Sequence, residues 1–127
     1  LGAGVVDRLR QLGVPAIGIN VSETPSKADT YANKRAELWF TCREWLGGEV
    51  ELPDHQQLVE DLVAPRFEYR PNGTLGLERK EVTAKRLRKS PDFADALCLT
   101  FASPMLDSSG YIRNKRKPER RNAGVVA

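Results

Sequence analysis

The residues with the most evident chemistry are two carboxylates, Asp92 and Asp95, in the stretch Ser90-Pro91-Asp92-Phe93-Ala94-Asp95-Ala96-Leu97. Residues three apart on a helix project from one face. Two carboxylates on one face, beside small residues that let other elements approach, suit a hard cation such as Mg²⁺ or Mn²⁺. Asp92 also has a local explanation. Ser90 as N-cap, Pro91 at the first helical position and Asp92 in the first turn make a helix start that answers free N–H groups and the positive end of the dipole. Asp95 has no such local account. It stands between Ala94 and Ala96, with Leu97, Cys98, Leu99, Phe101 and Ala102 beyond, and a helix that apolar should be buried. A buried carboxylate needs a cation or hydrogen-bond donors. A metal ion meets that need, and so does one of the nearby arginines or lysines; spacing leaves both open.

A basic cluster, Arg79, Lys80, Lys85, Arg86, Arg88 and Lys89, runs up to this motif, and a second lies near the end of the chain. Between Arg113 and Arg121 six cationic residues stand against Glu119, so that segment is +5 in a chain of net +3, and the remainder is −2. A near-neutral body with a basic tail suits a polyphosphate partner, because each phosphate neutralised releases condensed counterions. A solvated helix face and a disordered tail account for the same charges without a ligand.

The elements that position these groups follow from periodicity. Val5, Val6, Leu9 and Leu12 recur at helical spacing ahead of Gly13, and the β-branched run over 14–20 is expected as a short buried strand. A loop with Pro25 follows. A long helix over 31–46, capped by Asp29 or Thr30, buries Tyr31, Leu38, Trp39, Cys42, Trp45 and Leu46 and stops at Gly47-Gly48. Trp39 and Trp45 fit the core better than a base-stacking platform. Residues 49–53 alternate as a short strand, Asp54 caps a helix over 55–63, and Pro65 breaks it. His55 falls in that first turn, facing solvent, and is no general base. A hairpin over 66–79 turns at Pro71-Asn72-Gly73, a basic helix spans 80–89, and the last helix opens at Ser90. Helix, strand and hairpin in this order make an α/β domain with a small mixed sheet and flanking helices.

The 127 residues hold one domain, expected over 1–107, with a basic and disordered tail over 108–127. No apolar run approaches the roughly 20 residues of a membrane span, and the start of the chain is not a signal peptide. Without an initiator Met, the chain is expected to begin inside a longer reading frame or to follow a removed tag. Cys42 and Cys98 have no Cys or His at metal spacing and read as reduced, buried thiols.

Three segments resemble the nuclease domain of phage large terminases, which has an RNase H-like fold. They are Gly2-Ala3-Gly4-Val5-Val6-Asp7-Arg8-Leu9, Tyr31-Ala32-Asn33-Lys34-Arg35-Ala36-Glu37-Leu38-Trp39, and Ser90 to Phe101. The last also resembles the final helix of Holliday-junction resolvases. The resemblance implies a metal-dependent endonuclease that cuts concatemeric double-stranded DNA in the host-cell cytoplasm, with the terminase small subunit and the portal as partners. Two divalent metals about 4 Å apart straddle the scissile phosphate in such a mechanism. Of the three acidic positions the family uses, it implies only the last, at Asp95, with Asp92 as a companion. Lys80, Lys85, Arg86 and Lys89 become contacts to the DNA backbone. The two strands bearing the other carboxylates have no counterpart, and Asp7 is structural. Catalysis then needs those strands supplied, and a sheet lacking them invites self-association through an exposed edge. A DNA-binding or motor-docking module, and an inactive prophage remnant, are the competing expectations.

Overall fold

The computed structural model describes residues 3–102. The basic segment from Arg113 to Arg121 and the domain boundary expected at 107 lie outside these residues. The elements run α1 (Ala3–Gln11), α2 (Lys34–Leu46), α3 (Gln56–Val63), β1 (Phe67–Tyr69), β2 (Leu75–Leu77), α4 (Lys80–Leu87) and α5 (Asp92–Leu99). Among the described residues no helix is long and apolar enough to cross a membrane.

The centre of the fold is α2 against α5, with α3 packed on the other flank of α5. Leu38, Trp39 and Cys42 of α2 meet Ala94 and Cys98 of α5, with Leu46, Leu62, Leu77, Leu97 and Phe101 around them. Ala94 is fully buried, and its small side chain allows the two helices to approach. The expected pair of buried free thiols is present, and burial pushes both Cys42 and Cys98 up in pKa.

Helix α2 starts later than its apolar stripe implies. Its N-cap is Asn33, not Asp29 or Thr30, and the Asn33 side chain accepts from Ala36 N at 2.9 Å. The first N–H groups of the helix go to the preceding loop: Lys34 N donates to Glu23 O and Arg35 N to Val21 O, both at 2.9 Å. Four orphan N–H groups at a helix start must find partners, and this loop supplies carbonyls that upstream capping residues could not. The Glu37 carboxylate accepts from the backbone of Ser26 and Lys27 and from the Lys34 ammonium, folding the loop onto the helix.

The hairpin forms where expected, with Phe67 opposite Leu77 and Tyr69 opposite Leu75. Its turn closes by Gly73 N to Arg70 O at 2.9 Å, and Gly73 takes φ +82, a conformation that favours glycine. Tyr31 meets Leu75 through an isolated parallel bridge, but the sheet among the described residues is two-stranded and antiparallel rather than the mixed sheet expected.

Three further local expectations fail. Residues 14–20 do not form a buried strand: Val14 and Ile17 are exposed, and the segment has no ladder partner among the described residues. A β-branched run becomes a strand only when a neighbour takes its N–H and C=O groups. Residues 49–53 are irregular for the same reason. The cap of α3 is His55 rather than Asp54, with Nδ1 accepting from Leu58 N and the ring against Phe93 at 4.6 Å. His55 is therefore a half-buried structural residue.

Burial pushes the Glu37 carboxyl up, but the bonds from Lys34, Ser26 and Lys27 outweigh it and hold the group below its ordinary range. A depressed folded-state pKa stabilises above the unfolded value and is lost as pH falls through the folded one. Glu37→Gln is expected to cost about 1–3 kcal/mol near neutrality. In urea titrations the gap to the parent protein should close as pH falls below the carboxylate range; a pH-independent gap would refute the charged anchor.

Candidate metal and phosphate site

Asp92 and Asp95 do share one face of α5, and what converges on them is cationic. The Lys80 ammonium, at the first residue of α4, lies 2.7 Å from Asp95 Oδ2 and 3.6 Å from Asp92 Oδ1, bridging the two. From α2, the Trp39 indole N–H donates to Asp95 Oδ1 at 3.1 Å. Arg35 Nε stands 3.8 Å from the same oxygen, and its guanidinium lies over the Trp39 ring at 5.6 Å. The hydrogen bond to Asp95 and the attraction of both carboxylates raise the Lys80 pKa against the opposing effect of burial. Asp92 is largely exposed, and a hydrogen bond from Ser90, with the charge of Lys80, lowers its carboxyl.

The start of α5 is not closed as its sequence implies. Pro91 is the N-cap and offers no side-chain acceptor. The acceptor comes from α3: Asp61, only 1% exposed, takes the Phe93 N–H on Oδ2 at 3.1 Å and pairs with Lys89 through Oδ1 at 3.3 Å. A carboxylate from a neighbouring helix thus sits at the positive end of the α5 dipole and fixes the helix that carries Asp95. One signal for it was present: Asp61 lies three residues after Leu58 and next to Leu62, on the apolar face of its own helix.

Of the four basic residues singled out for DNA, three have intramolecular partners. Lys80 is held by the two aspartates. Arg86 donates to Ala64 O at 2.8 Å and pairs with Glu78, and Lys89 pairs with Glu60 and Asp61. Lys85 is exposed, with no ion pair among the described residues. The missed residues are Arg35, Trp39 as a donor, and Asp61.

A cavity of about 290 Å³ opens beside Asp95, with Arg35, Lys80, Ile19, Val21, Trp39 and Leu99 in its walls. Carboxylate oxygens are the donors a hard divalent cation takes, six or more at a time. Asp92 and Asp95 fit such an ion in charge and donor type, since they already bridge one cation. They supply only part of its shell, because no group of three or more His, Cys, Asp or Glu converges among the described residues.

The fold built by these elements is similar to that of solved nuclease domains. The solved structures it resembles include the nuclease domain of the large terminase subunit gp2 of the bacterial virus Sf6, with a TM-score of 0.65 at 23% identity over 83% of this chain and 62% of that one. A lysine-to-alanine mutant of that domain with manganese aligns at TM-score 0.62 and 23% identity, over 78% of this chain and 60% of that one. A mutant of gp2c from the same large terminase subunit, with calcium, aligns at 0.61 and 23% over the same shares. The chain spans less than two thirds of the length of these structures. No family model and no curated protein matches it.

Asp61→Ala would leave the Phe93 N–H and the Lys89 ammonium without their buried acceptor. It is expected to destabilise the domain by about 2–3 kcal/mol and to speed amide hydrogen exchange at the start of α5. Unchanged exchange there would show that Asp61 does not hold the helix.

Proposed function

We propose that this chain carries part of the catalytic centre of a divalent-metal-dependent endonuclease, of the kind that cuts concatemeric double-stranded DNA during viral packaging in the host-cell cytoplasm. The observation that carries the proposal is Asp95: a carboxylate set into the apolar helix α5, paired with Asp92, at the mouth of a cavity walled by Arg35 and Lys80. The likeness in fold to a terminase nuclease domain, and the manganese and calcium in those neighbours, supports it.

Asp95, with Asp92, would hold Mg²⁺ or Mn²⁺. Such an ion, when bound, polarises a phosphoryl oxygen and lowers the pKa of water. The chain's own residues do the rest of the work proposed for them. Trp39 orients the Asp95 carboxylate through its indole N–H. Lys80 holds the site's charge in balance and is displaced toward solvent when a stronger cation arrives; a half-exposed ammonium leaves a carboxylate at modest cost. Lys85, and more weakly the ion-paired Arg86 and Lys89, attract the DNA backbone without reading sequence. The remaining carboxylates would come from the two strands that have no counterpart in this sequence, and the terminase small subunit and the portal would be partners in the full assembly.

A second reading has one observation in its favour. Both Asp95 oxygens already have partners, Trp39 and Lys80, which is what a purely structural carboxylate in a DNA-binding or docking module also requires.

A Mn²⁺ titration followed by amide NMR separates the two. Signals over 92–96 are expected to broaden first and at the lowest metal concentration, and Asp95→Asn should abolish this while leaving weak effects at exposed acids. Broadening scattered over surface carboxylates, equal in both proteins, would reject Asp95 as a ligand and leave the docking module.

A further inference from the structure

We propose that Arg35 forms an oxyanion site in the cavity beside Asp95, and that its ligand is a phosphodiester group of the nucleic acid. The inference rests on the nuclease reading for the identity of the ligand, and on geometry for the site itself.

The guanidinium of Arg35 is fixed at one end. Its Nη1 donates to the carbonyl of Glu78 at 3.1 Å, across from α2 to the end of β2. The ring of Trp39 supports its face. The other edge, made of Nε and Nη2, is buried and has no hydrogen-bond partner among the described residues. Asp95 Oδ1 does not serve it: at 3.8 Å it is beyond hydrogen-bonding distance from Nε, and it already takes the Trp39 N–H. Buried N–H groups left unmatched are costly, and an arginine is charged at any accessible pH.

That edge has a defined ligand preference. Nε–H and Nη2–H are parallel donors whose spacing matches two oxygens of a carboxylate or phosphate. Arg35 and Lys80 both line the cavity, against the single negative charge of Asp95 in its walls, so the lining has an excess of one positive charge. At roughly 30 Å³ per water, about 290 Å³ admits a phosphodiester with water around it. Lys80, at 45% exposure, marks the open side through which a strand of DNA reaches the guanidinium. A phosphate seated there lies beside the carboxylate pair of α5, where a nuclease must hold its substrate. Arg35 thereby becomes a substrate-binding residue.

The test observes the Arg35 Nε–Hε resonance of the full chain in metal-free buffer, titrated separately with dimethyl phosphate and with acetate. The expected result is a saturable shift with dimethyl phosphate, larger than at the exposed Arg43 and Arg79. A response to acetate but not to the phosphodiester would overturn the proposal in favour of a protein carboxylate as occupant. No response to either, or one shared equally by the exposed arginines, would overturn it outright. As a second measurement, Arg35→Lys keeps the charge and loses the parallel donors; it is expected to weaken binding of a short DNA duplex about tenfold, one charged hydrogen bond's worth, with an unchanged fold by NMR. Because metal is excluded, a phosphate response at Arg35 combined with failed Mn²⁺ localisation at Asp95 would sink the metal reading and leave the oxyanion site standing.

Discussion

A carboxylate placed in an apolar helix obliges the rest of a protein to answer it, and in this domain two elements do so. Helix α2 brings the Trp39 indole and the Arg35 guanidinium, α4 begins at Lys80, and both converge on Asp95 of α5. The same α2 residues that meet Asp95 flank Leu38 and Cys42, which form the core with Ala94 and Cys98. Packing and site are therefore one structure: moving α2 far enough to loosen the core would also strip Asp95 of its donors. The start of helix α5, the same turn that carries Asp95, is fixed by the buried carboxylate of Asp61, which takes the place of the missing cap.

This arrangement explains why the basic residues ahead of α5 are not simply a charged surface. Arg86 closes the end of α3 through Ala64 and pairs with Glu78, and Lys89 answers Asp61. Glu78 is pushed up by burial but held down overall by the Arg66 backbone, Thr83 and Arg86. The cations thus neutralise acids that position the hairpin and α5. Lys80, Arg35 and Asp95 are the charged residues in the walls of the cavity.

Much of this was legible in the amino-acid order. The buried face of α2 at Leu38, Trp39 and Cys42, the turn at Pro71-Asn72-Gly73 and the spacing of Asp92 and Asp95 follow from local sequence and are found, whereas Trp45, expected in the same stripe, is exposed and Tyr31 lies ahead of the helix. What was not legible depends on distance along the chain. Trp39 and Asp95 are far apart in sequence, so an indole in an apolar stripe reads as core, with its N–H unassigned. The choice of Asn33 over Asp29 or Thr30 as cap depends on the carbonyls of Val21 and Glu23 arriving from a loop. The run over 14–20 has the residue types of a strand, but a strand is a relation between two segments, and no second segment pairs with it among the described residues. Asp61 reads as one more helix acid until Phe93 is seen to need it.

The central claim is that Lys80 and a divalent cation compete for the same two carboxylates. The most direct measurement is the Mn²⁺ affinity of Lys80→Met against the parent chain, read from the concentration at which amide signals over 92–96 broaden. Removing the bridging ammonium should tighten Mn²⁺ binding several-fold, in keeping with about 0.5–1 kcal/mol for a half-exposed pair. An affinity that stays the same or weakens would mean that Lys80 does not occupy the metal's place, and the carboxylate pair would then be a structural ion-pair network.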